Sequence, residues 1–280
     1  MSSNRESAVF RSDLLSGRVC VVSGFGSGLG RAMAIELARA GATVVGCGRR
    51  PDPLAETVQM ITEIGGTAEF ESVDIREEEA VDRFFDGVVS RHGRIDVLVN
   101  NAGGQFYGPA EDVTPKGLRR IVELNLIGTW SMTRAAATKA FIPQRSGRII
   151  TITGSPHNGV PGFMHTMAAR AGVENMTKTL ATEWARYGIT VLAVAAGAFG
   201  SDVVWEKYPK EMVESWAKTA PMNRIGRPEE LAYLVTFLAS PASEYMTGAI
   251  ATIDGGRDNW LGSMEPVKEE RKADKVAAGA

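Results

Sequence analysis

Metal-ligand and disulfide chemistry have little to work with in this chain. It carries two cysteines and three histidines in 280 residues. Cys20 and Cys47 both fall in strand-like apolar runs, so they read as small buried side chains. His92, His157 and His165 show no zinc spacing. No metal is expected. Charge of one sign is also missing: 31 basic residues face 33 acidic ones, for a net charge of −2. That balance argues against a nucleic-acid surface. No run of about eighteen apolar residues exists, so no membrane span is expected. The start, M-S-S-N-R-E-S, has no apolar signal core. A cytoplasmic location is therefore expected. The chain is long enough to bury a large core as one domain.

What the chain does have is glycine in a telling place. Residues 19–30 read V-C-V-V-S-G-F-G-S-G-L-G. A short apolar strand runs into Ser23 and Gly24, the turn continues through Gly26, Ser27, Gly28 and Leu29, and Gly30 opens a helical pattern marked by Met33, Ile35, Leu37 and Ala38. A strand turning tightly into a helix aims backbone N–H groups and the positive helix end at one spot. That spot suits a pyrophosphate, and glycine lets the ligand approach without a Cβ in the way. A second strand spans 42–47. Folds of this kind that bind NAD place an acid at its end for the ribose hydroxyls. Here Arg49 and Arg50 stand instead. A guanidinium matches a phosphate with a planar fork of donors. NADP(H) is expected, with Arg49 on its 2′-phosphate and Arg50 assisting; two solvated loop charges are the plainer alternative.

Strand and helix patterns then alternate. Helices are expected near 52–64, 77–91, 114–141, 165–187 and 228–240, and strands near 67–73, 95–99, 147–153, 189–195 and 249–253. This order predicts an α/β fold, a doubly wound parallel sheet of Rossmann type covered on both faces. One domain is expected over 14–257, with a substrate lid at 198–220 and a charged tail over 258–280.

The glycine turn, Asp74, the run Asn100-Asn101-Ala102-Gly103 and Asn125 in a long helix resemble the short-chain dehydrogenase/reductase family over nearly the whole chain. The resemblance implies that Asp74, with Ile75, meets the adenine. It implies that Asn101, Ala102 and Gly103 lie beside the cofactor, and that Gly197 and Phe199 belong to a loop at the nicotinamide. Asn125 would kink its helix and hold a water. The usual proline before that loop glycine is Ala196. A dimer or tetramer is usual in the family.

The catalytic segment departs from the family's Ser and Tyr-x-x-x-Lys. By spacing, Thr166 takes the tyrosine place and Arg170 the lysine place; the serine place falls on Thr153 or Gly154, next to Ser155. Arginine stays charged, so Arg170 can clamp ribose hydroxyls but cannot cycle a proton. A threonine hydroxyl donates a hydrogen bond but is no acid at neutral pH. Ketone reduction needs a proton as the alkoxide forms. Reduction of an alkene conjugated to a carbonyl needs donors for an enolate oxygen instead.

The runs N-N-A-G-G-Q-F, A-A-R-A-G-V-E-N-M-T-K and D-G-G-R-D-N-W are similar to the branch of peroxisomal trans-2-enoyl-CoA reductases and 2,4-dienoyl-CoA reductases. An NADP(H)-dependent reductase of 2-enoyl thioesters is thereby implied. The last residues, A-A-G-A, carry no peroxisomal address. A dehydrogenase of an apolar alcohol or carbonyl compound, fatty or terpenoid, with a relocated proton donor stays open, as does a non-catalytic cofactor binder. Ser155 and Thr166 each read as a donor to the substrate carbonyl or as a loop or cap hydroxyl. His165 reads as a weak proton donor or a structural residue. Tyr107 reads as a replacement phenol or a packed aromatic. The lid is apolar on one side through Phe199, Val203, Val204, Trp205, Tyr208, Met212, Val213 and Trp216, which suits a fatty tail or an ordinary amphipathic helix. Lys207, Lys210 and Arg224 are weak candidates for the phosphates of a CoA group.

Overall fold

The computed structural model describes residues 6–155 and 157–260. Seven parallel strands form one sheet in the order β3-β2-β1-β4-β5-β6-β7. They are β1 (Val19–Ser23), β2 (Thr43–Gly48), β3 (Thr67–Ser72), β4 (Val97–Asn100), β5 (Gly147–Gly154), β6 (Ile189–Ala196) and β7 (Ile250–Ile253). The central strands read as continuous apolar runs because helices cover both faces. All of β1 and β4 is buried, whereas β3 at the edge has no buried residue: Glu69 and Glu71 are half-buried, and Phe70 and Ser72 are exposed.

The helices are α1 (Gly28–Arg39), α2 (Pro51–Glu63), α3 (Glu78–His92), α4 (Pro115–Val122), α5 (Gly128–Ala136), α6 (Ile142–Gln144), α7 (Met164–Trp184), α8 (Asp202–Lys207), α9 (Lys210–Ala217) and α10 (Pro228–Ala239). Local chemistry sets their ends. The Thr114 hydroxyl accepts from the Gly117 N–H at 3.1 Å and Pro115 opens α4. Glu78 and Glu79 sit in the first turn of α3, and Gly93, at φ +70°, closes it.

Two expectations needed correction. The helix expected across 114–141 is α4, α5 and α6 joined by π turns at Glu123–Ile127 and Ala137–Phe141. The strand expected from 95 begins at Val97, because the Gln144 side chain pairs with both the N–H and the carbonyl of Ile95. Of the tail expected over 258–280, only 258–260 are described, and Arg257–Asn259 form a 3-10 turn.

The core has two layers. Against one sheet face pack α1 and α10, with Met33, Leu37, Leu231 and Leu238 fully buried. On the other lie α3, α5 and α7, with Phe84, Phe85 and Met132. Cys20 and Cys47 are buried and free, and burial pushes the Cys47 thiol up to about 12. No helix among the described residues is long and apolar enough to cross a membrane. The chain runs outward from β1 through β2 and β3, then returns to β4 on the other side. Loops on the carboxyl ends of β1 and β4 diverge there and leave a crevice.

Candidate functional site

The crevice is a cleft of about 620 Å³. Its floor is locked by one serine and one asparagine. The Ser23 hydroxyl accepts from the N–H groups of Asn101 and Ala102, both at 3.0 Å. The Asn101 amide donates to the Ser23 and Gly24 carbonyls at 3.0 and 3.2 Å. Ser23 is thus fully behind the wall and does not line the cleft. Gly24, Gly26, Ser27, Gly28, Leu29, Gly30, Asn101, Ala102 and Gly103 do line it. Gly30 is required by packing: a Cβ there would lie 2.1 Å from the Gly24 carbonyl oxygen.

The turn takes an oxyanion. The Gly28 N–H, at the start of α1, donates to Asp202 Oδ1 from α8 at 2.9 Å. A carboxylate here stands where the exposed N–H groups and helix dipole favour a phosphate. Arg49 and Arg50 follow β2 and line the same end of the cleft; neither guanidinium has a hydrogen bond or ion pair among the described residues. Asp74 and Ile75 line it too, and the Asp74 carboxylate is held low by a bidentate bond from Arg76. The donors and shape of this end fit a dinucleotide.

Arg170 marks the middle. From α7 it donates to the Ile152 carbonyl at 2.7 Å, and burial pushes its guanidinium down to about 10, so it stays charged at neutral pH. A Cβ on Gly103 would fall 2.2 Å from Arg170 Nη2 and 2.7 Å from Asn125 Oδ1, so only glycine admits the guanidinium there. Asn125 is fully buried at the first π turn. Its amide donates to Ile121 O at 3.0 Å and Gly104 O at 2.8 Å, and its Oδ1 accepts from the Gly104 N–H at 3.3 Å. Both donor hydrogens are used, so Asn125 pins the 103–104 loop.

Three of the hydroxyls lining the cleft come from β5, the residue after it and α7, and two of these are committed. Thr153 donates to Glu174 Oε1 at 2.7 Å, and Ser155 donates to Asp254 in a short bond. Behind them His157 bridges Glu174 Oε2 at 2.9 Å and Asp258 Oδ2 at 2.5 Å. Its pKa is raised, first by the Asp258 bond. The third hydroxyl, Thr166, is 5 % exposed and has no partner.

Other expected residues part company with the cleft. His165 is fully buried, stacked on Phe106 at 3.9 Å, and does not line it; burial lowers its pKa. It is a packed residue beside the site, not a group facing substrate. Tyr107 is exposed and edge-on to Phe163. Arg224 is tied to Glu230 at 2.7 Å, Lys210 pairs with Glu214, and Lys207 donates to the Gln105 carbonyl at 2.5 Å, so none of these is a free phosphate ligand. Gly197 and Phe199 do line the cleft, after β6. Sequence reasoning missed Asp202, Glu174, His157 and Arg257. Only an arginine directly after the turn D-G-G could have hinted at one of them. It named Tyr208 only as part of the lid's apolar face. The Tyr208 phenol lines the cleft, where its oxygen accepts from Gln105 Nε2 at 3.1 Å.

A family model described as enoyl-(acyl carrier protein) reductase matches residues 24–258, most of the chain. The chain belongs to the short-chain dehydrogenase/reductase family. Among its relatives within that family is a probable 2,4-dienoyl-CoA reductase of Caenorhabditis elegans, 34% identical over 91% of this chain and 85% of the relative. Among solved structures of short-chain dehydrogenases, the citronellol catabolism dehydrogenase of Pseudomonas aeruginosa PAO1 is similar at 35% identity, with TM-score 0.81 over 89% of this chain and 98% of that one. A putative NAD(P)-dependent gluconate 5-dehydrogenase of Beutenbergia cavernae, solved with bound NADP, is 33% identical with TM-score 0.82 over 89% of this chain and all of that one (100%). This chain is therefore a short-chain oxidoreductase, and the family binds NAD(P). The relatives act on chemically different substrates by their names, so the substrate must be argued from the cleft.

Proposed function

We propose that this enzyme is an NADP(H)-dependent reductase of conjugated carbon–carbon double bonds in acyl thioesters. The observation that carries the reading is an uncommitted buried hydroxyl: Thr166, at the family's tyrosine place, belongs to the cleft wall and has no partner among the described residues. The backbone from Gly24 to Gly30 would hold the pyrophosphate, Arg49 and Arg50 the 2′-phosphate, Asp74 and Ile75 the adenine, and Asn101 to Gly103 with Arg170 the nicotinamide ribose. NADPH, when bound, supplies hydride to the β carbon of the substrate.

The chain's own residues then have a modest task. Thr166 donates its hydroxyl proton in a hydrogen bond to the thioester oxygen, which gains charge as the enolate forms. Arg170 adds fixed positive potential in a water-poor setting, where such donors and charges act most strongly. The α carbon takes its proton from water, since no acid of suitable strength faces Thr166. The thioester leaves saturated, with one hydride and one proton added. The dienoyl-CoA reductase named among the relatives supports this reading.

A second reading has its own observation. The Tyr208 phenol lies in the cleft with its oxygen accepting from Gln105, and its own proton has no acceptor among the described residues. A phenol there could serve carbonyl reduction from the lid. The deciding experiment follows NADPH absorbance with trans-2-decenoyl-CoA, then with ketones and aldehydes, and runs NADP with alcohols. Turnover of the enoyl thioester, and little of the others, is expected. Turnover confined to carbonyls and alcohols, abolished in Tyr208→Phe, would establish the second reading in its place.

A further inference from the structure

Arg257 lies at the substrate end of the cleft, on the 3-10 turn that follows β7. The turn before it is tightly held. Gly255 and Gly256 both have positive φ, at +69° and +87°, and the Gly255 carbonyl accepts from the Met222 N–H at 3.2 Å, beyond α9. This fixes Arg257 next to the end of the lid.

Its acidic neighbours are turned elsewhere. Asp254 accepts from the Gly256 N–H at 2.9 Å, from the Asp258 N–H at 2.7 Å and from the Ser155 hydroxyl. Asp258 is held by His157 through its backbone N–H and its ring, at 2.6 and 2.5 Å. Arg257 itself has no hydrogen bond or ion pair to any described residue, although it is half-buried. The other cations of this region are used: Arg170 on Ile152 and Lys207 on Gln105. Asp254 attracts it through space without touching it, so the guanidinium donors are left unmatched and a ligand oxyanion would satisfy them. The same cleft has an apolar part lined by Val160, Phe163 and Trp216, which pack in one cluster.

We propose that Arg257 is an anion-recognition residue, and that the substrate carries an oxyanion, phosphate or carboxylate, joined to an apolar body. A guanidinium suits either oxyanion through its planar fork. The proposal rests on the reading of this cleft as the substrate site; it does not depend on the alkene being the reacting bond. Coenzyme A phosphates and a free carboxylate are the two sources of that group.

The test uses the full chain saturated with NADPH. KM and kcat are measured for trans-2-decenoyl-CoA and for the N-acetylcysteamine thioester of the same acid, which lacks phosphates. In Arg257→Gln the KM for the CoA thioester should rise about tenfold while kcat and NADPH affinity hold. The neutral thioester should be unaffected, and Arg257→Lys should recover part of the loss. In parallel, the NADP-saturated protein is titrated with coenzyme A and with decanoate. Selective loss of coenzyme A binding in Arg257→Gln assigns the phosphates; selective loss of decanoate binding assigns a carboxylate. Equal changes with both thioesters, or unchanged binding of both anions, would overturn the proposal. Intact titration effects without enoyl turnover in the wild type would sink the alkene reading and leave the anion site standing.

Discussion

The two ends of the cleft are built from different materials. The dinucleotide end is made of backbone: glycine turns, the N-terminus of α1, and a hydroxyl and an amide that tie β1 to the loop after β4. The substrate end is made of side chains from β5, α7, α8 and the loop after β7, held by a chain of carboxylates. Backbone sites demand glycine at fixed spacing, since one added Cβ closes them. Side-chain sites tolerate exchange as long as each donor finds an acceptor, and by spacing Thr166 and Arg170 stand where the resemblance places the family's tyrosine and lysine.

If that contrast is right, substitutions at the two ends should fail in different ways. Gly30→Ala should have the largest effect. Its Cβ would press on the Gly24 carbonyl, a backbone atom that cannot rotate away. A loss of about 3 kcal/mol in urea denaturation is expected, together with loss of coenzyme binding. A stable variant with normal NADPH affinity would break the comparison. Thr166→Val comes next. It keeps the shape and removes the unpartnered Thr166 hydroxyl, so kcat for the enoyl thioester should fall about a hundredfold, with the NADPH Kd unchanged. An unaltered kcat would remove Thr166 from the chemistry.

Two substitutions sharpen the dinucleotide end. Arg49→Asp should weaken NADPH at least about tenfold and leave NADH nearly untouched, read by fluorescence titration of both coenzymes. Equal losses would mean that the 2′-phosphate is not met there. Asp202→Asn removes the negative charge that occupies the Gly28 N–H. NADPH should then bind about threefold tighter, because a like charge no longer stands at the phosphate position. Weaker binding would instead make Asp202 a helper of the coenzyme.

The smallest effect concerns pH. His157 bridges Glu174 and Asp258, and its pKa in the folded chain lies above the ordinary 6.5. The stability it contributes is therefore fully present below about pH 6.5 and is lost as pH rises through the folded value. The melting temperature of the wild type should exceed that of His157→Gln at low pH, and the two should converge as the medium turns alkaline. A gap that widens with pH would reverse the assigned direction.

Legibility followed the same divide. The alternation of strands and helices, the glycine turn, and the places of Arg49, Arg50 and the Asn101–Gly103 run could be read from local pattern, because each needs only its chain neighbours. The break of the 114–141 helix into π turns could not: Asn125 reaches across 21 residues to the Gly104 backbone, and the extra residue in the turn gives its amide that reach. His165 and Thr166 are adjacent in the sequence and read alike as candidates. Helical geometry separates them, placing the ring of one against Phe106 and the other on the wall of the cleft.

From its sequence alone this chain was committed to a parallel sheet with a dinucleotide turn at its crest, since apolar runs of strand length, helical periodicity and glycine spacing act over a few residues. Tertiary structure alone decided which hydroxyls were spoken for. Ser155 meets Asp254 across 99 residues and Thr153 meets Glu174 across 21, and no local pattern encodes such a meeting. Whether a polar group in a site is free to act depends on partners that only folding brings within bonding distance.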